Sequence, residues 1–134
     1  MYLEFLKDRE RELCIELAIN LASMDGNFSQ KERLLIEGYC ADAGVTYDFR
    51  KELPPLQQII EFLVSESNLT ERKIIVFEMV RLAIVDNVFH ENEKDLIDDL
   101  AIQFELEDSY VEQCREVLEA HLNIEERMNL LVLN

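Results

Sequence analysis

The chain reads as an all-α protein: two pseudo-symmetric helical hairpin repeats in a single bundle of about six to seven helices. Three observations predict this. Its 134 residues include only three Gly and two Pro, too few turn-formers for an all-β fold, while 49% are hydrophobic. Apolar residues recur at spacings of three and four. One helix-turn-helix pattern, "SMDGNFSQKERLLIE" at 23–37, returns as "VDNVFHENEKDLID" at 85–98. The length suits one domain spanning 1–134, with halves of about 1–64 and 65–134, able to bury roughly two thirds of its unfolded surface.

In the first segment Leu6, Leu13, Leu17, Leu21 and Met24 form one apolar row beside Cys14, Ala18 and Ala22, the pattern of an amphipathic helix. Asp25 and Gly26 close it, since Gly accepts the left-handed conformation past a helix end. Ser29 and Glu32 make an S-x-x-E capping box for a second helix running through Leu35, Ile36 and Tyr39 to Gly44. A third begins at Pro54 and Pro55, which suit a first turn, and turns Ile59, Phe62 and Leu63 inward. Thr70 caps a fourth, lined by Ile74, Phe77, Val80, Ala83 and Ile84. A fifth ends near Gln103. Ser109 and Glu112 form a further capping box before a sixth, and the apolar tail MNLLVL is expected to fold back as a short seventh.

Aligned at an offset of 61, Leu21, Ala22, Asp25, Phe28, Glu32, Leu35 and Ile36 match Leu82, Ala83, Asp86, Phe89, Glu93, Leu96 and Ile97. Conservative pairs extend the match, including Ile19 with Val80, Arg33 with Lys94 and Phe49 with Tyr110. Two hairpins of like design, each with one apolar face, should pack about a pseudo-twofold axis.

The repeated apolar residues need only a core, whereas the repeated acids need an electrostatic account. Glu32 and Glu93 fall in the first turn of a helix, where the dipole favours a carboxylate by roughly 0.3–1 kcal/mol. At the cap position of the second copy stands His90. Asp25 and Asp86 fall at the opposite end, where the dipole disfavours them, and each follows a Leu by four residues on the buried face. Three partners would satisfy such a residue: backbone N–H groups of its own loop in an Asx turn, a basic side chain such as Arg33 or Lys94, or a bound divalent cation. In the last case Asp25, Glu32, Asp86 and Glu93 converge into an all-oxygen set suited to Ca²⁺ or Mg²⁺.

Several chemistries lack their residues. An EF-hand loop counted from Asp25 would need Gly at its sixth position and Glu at its twelfth, but has Gln30 and Ile36. A di-iron bundle needs Glu-x-x-His, yet His90 and His121 follow Asn87 and Leu118 at that spacing. No G-x-S-x-G, P-loop or Cys/His dyad is present, so no enzyme is expected. Cys14, Cys40 and Cys114 show no metal-knuckle spacing and read as small core residues. With 13 Lys and Arg against 29 Asp and Glu, the net charge of −16 repels nucleic acid and anionic lipid and favours cations and basic protein surfaces. No apolar run approaches the ~18 residues of a membrane span, and "MYLEFLKDRERELC" is charged too early for a signal core, so a cytoplasmic protein without membrane insertion is expected.

The patterns "LASMDGNFSQKERLLI" and "LAIVDNVFHENEKDLI" resemble the tellurite-resistance TerB-like family over most of the chain. The resemblance implies an all-helical, usually cytoplasmic protein of two pseudo-symmetric halves, with an acidic site for divalent metal and no organic cofactor. Such proteins are associated with tellurite and chemical-stress responses, work near membrane-embedded protein partners, and include a domain of certain DnaJ-like co-chaperones. The family's acidic positions fall on Asp25, Glu32, Asp86 and Glu93, with Asn87 standing where the pattern prefers Gly. The expected function is thus a non-enzymatic, cation-responsive interaction or sensing module with a protein partner. The alternative is a structural or homodimerisation domain whose acids are caps and turn-formers.

Overall fold

The computed structural model describes residues 2–24, 29–85 and 90–134. Among these lie a short 3-10 turn, Leu3–Phe5, and six helices: α1 (Asp8–Ala22), α2 (Gln30–Ala43), α3 (Leu56–Glu66), α4 (Leu69–Ile84), α5 (Glu91–Gln103) and α6 (Tyr110–Leu133). The all-α expectation holds, and the described residues include no strand. No helix among them is long and apolar enough to cross a membrane.

α4 is the axis of the core. Its buried residues Ile75, Val76, Met79, Val80, Leu82, Ala83 and Ile84 cover most of its circumference, as expected of a helix walled in on several sides. It packs against α1, α5, α6 and the 3-10 turn, while α1 also packs against α2 and α3. Leu21, Leu82, Ile36, Ile97 and Leu96 are all buried in one core cluster, with Leu35 packed at its edge. Cys14, Cys40 and Cys114 are buried free thiols, as the spacing predicts. Phe28 and Phe89, expected in the same core, lie outside the described residues.

Several helix ends differ from expectation. α4 is capped by Asn68 instead of Thr70: the Asn68 side chain accepts from the Glu71 N–H at 2.8 Å and Glu71 returns a bond to the Asn68 N–H at 2.9 Å. Ser109 makes no side-chain cap because its backbone is already helical. Phe62 is 37% exposed, its ring beneath the Arg9 guanidinium at 5.7 Å, because Ile59, Ile60 and Leu63 already fill the inward face of α3. The tail does not form a seventh helix. α6 runs unbroken to Leu133, since no Gly or Pro interrupts it and Met, Leu, Glu and Arg all sustain a helix.

Backbone details recur at the 61-residue offset. Arg11 Nε donates to the Leu3 carbonyl at 3.2 Å and Nη1 to the Ala43 carbonyl at 3.4 Å. Arg72 donates to the Val64 carbonyl and, at 3.0 Å, to the Phe104 carbonyl. Arg11 thus ties the end of α2 to the 3-10 turn before α1, and Arg72 ties the end of α5 to α3. Just beyond, Gly44 (φ 67°) and Glu105 (φ 59°) take the left-handed conformation. There Val45 N–H reaches the Cys40 carbonyl at 2.9 Å and Leu106 N–H the Ala101 carbonyl at 3.0 Å, so both helices close with the same C-terminal wrap.

Leu82 is fully buried. Leu82→Ala should therefore lose about 2–5 kcal/mol in equilibrium urea unfolding, and a loss below about 0.5 kcal/mol would contradict its placement. Glu105 pays the left-handed penalty that Gly44 avoids. Glu105→Gly should raise stability by up to about 1 kcal/mol, the relief of native strain outweighing the extra freedom of the unfolded chain. A clear loss would show that the Glu105 side chain makes a stabilising contact.

Candidate functional site

Of the four acids expected to form a site, two are described. Glu32 occupies the third position of α2 and is buried, its Oε1 accepting the Ser29 N–H at 3.1 Å while its own N–H donates to Ser29 Oγ at 3.0 Å. The expected capping box is therefore formed. Glu93 occupies the third position of α5 and is buried likewise, at 3% exposure, but the residue before that helix, His90, contributes no side-chain cap. Asp25 and Asp86 lie outside the described residues. Among the described residues no group of three or more His, Cys, Asp or Glu is arranged to hold a metal ion, so a four-carboxylate set would need both aspartates.

The buried charge is more extensive than the sequence pattern suggests. Glu10, Glu16, Glu71 and Glu78 are buried as well as Glu32 and Glu93, so all six buried charged residues among those described are glutamates. A buried carboxylate is costly unless it is hydrogen-bonded or paired, and each of these four has a partner. Glu16 meets Lys51 Nζ at 3.2 Å, which ties the segment between α2 and α3 to α1. Glu78 accepts the Tyr2 N–H at 3.0 Å and pairs with Arg81 Nη1 at 3.3 Å. Its carbonyl accepts the Tyr39 hydroxyl at 3.1 Å, inside the core, and burial together with the Glu78 charge holds that phenol well above its ordinary pKa.

Glu10 and Glu71 form the most unusual arrangement. They stand at equivalent third positions of α1 and α4, where Glu10 Oε1 accepts the Lys7 N–H at 2.9 Å and Glu71 Oε1 accepts the Asn68 N–H. Lys7 Nζ lies 3.4 Å from Glu71 Oε1, and the second carboxyl oxygen of Glu10 is buried without a hydrogen-bond partner. Burial, then the neighbouring Glu71 carboxyl, holds Glu10 above the ordinary carboxyl range. Burial opposes ionisation of Glu71 too, but Asn68 N–H, Glu10 and Lys7 bring it below that range. A signal for this pair was present, because Lys7-x-x-Glu10 and Asn68-x-x-Glu71 share the offset of 61, but Lys7 is not a capping residue and conceals the first helix start.

None of these groups is a poised nucleophile. Burial pushes the thiols of Cys14, Cys40 and Cys114 up, which suppresses the thiolate. His121 is exposed and sits 3.0 Å from Glu125 on its own helix.

The pH dependence of the acid pair follows from its two directions. Glu10, raised in the folded state, contributes stability that is complete below its unfolded pKa and is lost as pH rises through its folded value. Glu71, lowered, contributes stability present above its unfolded pKa and lost as pH falls through its folded value. Glu10→Gln keeps the acceptor for the Lys7 N–H and removes the carboxylate charge beside Glu71. In ~0.5 M NaCl, which screens exposed charge, this variant should melt above wild type at pH 7.5 and close to it near pH 4.5. Equal melting temperatures at pH 7.5 would show that folding does not raise Glu10.

Comparison with protein-family models, with curated proteins and with solved structures finds no match, so no relative lends this chain a function.

Proposed function

We propose that the chain is a non-enzymatic, TerB-like interaction module made by duplication of one helical unit. Asp25, Glu32, Asp86 and Glu93 would hold a divalent cation that governs how the two halves pack. The observation that carries this reading is the burial of Glu32 and Glu93 at the third position of α2 and α5, 61 residues apart, in a chain of net charge −16. The paired arginine clamps, left-handed helix ends and first-turn glutamates at the same offset support the duplication. An all-carboxylate donor set suits a hard cation such as Ca²⁺ or Mg²⁺, which would supply positive charge to the two aspartates that the sequence pattern assigns to helix C-termini. A cytoplasmic stress or tellurite-related role beside a protein partner is the setting this reading implies.

One observation favours the alternative, a structural or dimerisation domain without metal: the complete Ser29–Glu32 box already satisfies one of the four acids. Calorimetric titration of chelator-treated protein with Ca²⁺, Mg²⁺, Zn²⁺ and Mn²⁺ separates the two. Millimolar Ca²⁺ or Mg²⁺ should bind and raise the melting temperature, and Asp86→Asn or Glu93→Gln should weaken both effects by tenfold or more. If no metal binds at millimolar concentration, or both variants respond as wild type does, the acids are caps and turn-formers only.

A further inference from the structure

Where α2, α4 and α6 meet, they leave a cavity of about 200 Å³. Leu35 of α2, Ile84 and Val85 at the end of α4, and Leu118 and Leu122 of α6 give it apolar walls, with Arg81 set among them. Leu118 and Ile84 are buried, while Leu35, Arg81, Val85 and Leu122 are only partly covered, so the space opens to solvent on one side. Sites for drug-sized ligands run to about 300–1,000 Å³, so this one suits a smaller molecule.

Arg81 is held in place but not used up. Its Nη1 lies 3.3 Å from Glu78 Oε2, and its guanidinium stands over the Tyr39 ring at 5.7 Å. Glu78 is fully buried and forms no part of the cavity wall, and among the described residues it is the only carboxylate paired with Arg81. A guanidinium carries five N–H donors in a planar fork, so the bond to Glu78 fixes its plane and leaves donors for a second acceptor. The other ionisable groups lining the cavity, His121 and Glu125, are half exposed and engage each other at 3.0 Å. Charge and polarity then select the ligand. A neutral apolar molecule leaves the Arg81 donors facing hydrocarbon, and an amine sets a second cation beside them, whereas a carboxylate accepts from two donors of the fork at once. The net charge of −16 opposes an approaching anion, but salt attenuates that repulsion within about 8 Å at physiological ionic strength.

We infer that the cavity between α2, α4 and α6 binds a small monocarboxylate with an apolar tail, its carboxylate on the Arg81 fork and its tail between Leu35, Leu118 and Leu122. The cavity wall includes none of the four acids assigned to the cation, and its test is run in chelator so that either reading can fail alone.

The probe is hexanoate, titrated to about 20 mM in ~0.15 M NaCl against the full ¹⁵N-labelled chain and read by backbone amide shifts. Two partial probes are the controls: 1-hexanol keeps the tail without the charge, and acetate keeps the charge without the tail. Saturable shifts centred on Leu35, Val85 and Leu122 are expected for hexanoate, with binding of either partial probe weaker by about tenfold or more. Leu35→Trp, at a partly covered wall position, should fill the cavity and weaken hexanoate by about tenfold or more while distant amides keep their positions. Arg81→Lys keeps a cation beside Glu78 but loses the fork, and should bring hexanoate down toward 1-hexanol. Should that variant fail to fold, the three probes and Leu35→Trp still decide. The inference is overturned if 1-hexanol or acetate binds as tightly as hexanoate, or if either variant, folded, binds hexanoate as wild type does. Absence of a saturable hexanoate shift at these positions overturns it as well.

Discussion

The enclosure of α4 sets the terms for the rest of the molecule. A helix buried over most of its circumference has no solvent to which its polar side chains can escape, so Glu71, Arg72, Glu78 and Arg81 must find their partners inside the protein. Each partner comes from a different part of the chain. Glu71 meets Glu10 and Lys7 of the α1 entrance, Arg72 holds the carbonyls of Val64 and Phe104, and Glu78 takes the Tyr2 N–H, with Arg81 lying over the Tyr39 ring at 5.7 Å. The apolar surface of α4 gathers the other helices by a nondirectional force. Its polar groups then fix their registers, because a buried donor or acceptor left unmatched costs about 1–3 kcal/mol.

Much of this was legible in the sequence, and the reasons for the remainder are specific. Side chains that act on their own helix leave a local signature: the Ser29–Glu32 box, the Gly44 terminus and the apolar rows of α1 and α4 lie where spacing places them. Contacts to distant carbonyls leave none, so nothing around Arg11 or Arg72 announces Ala43 or Phe104. Glu105 hides a left-handed helix end behind a residue that seldom adopts it. The tail departs from the expected short seventh helix although MNLLVL is as apolar as a buried segment. Hydrophobicity there reports what could be covered, whereas the backbone simply continues with good helix-forming residues. Of the four expected site acids, burial of Glu32 and Glu93 was visible only in the folded protein, because spacing assigned them to first turns that are ordinarily solvated.

The distribution of charge has two scales. Most of the net charge of −16 is spread over the exposed faces, where salt attenuates it within about 8 Å at physiological ionic strength. The buried glutamates belong to a different regime: they interact with one or two named groups at hydrogen-bond distance, and salt reaches them poorly. Changes of ionic strength therefore address the surface, and changes of pH address the interior.

The three enclosed thiols give the protein internal clocks. Cys14 lies in α1 at the centre of the core, Cys40 near the end of α2, and Cys114 on the inner face of α6. A reagent that alkylates free thiols can reach each one only when the helix above it lifts, so in the regime where closing outruns alkylation, the three rates measure three separate opening free energies. If α6 lifts as a unit, Cys114 reacts while Cys14 stays protected. A molecule that opens all at once exposes both with a single free energy, and the ratio of the two rates records how far the bundle behaves as one cooperative body.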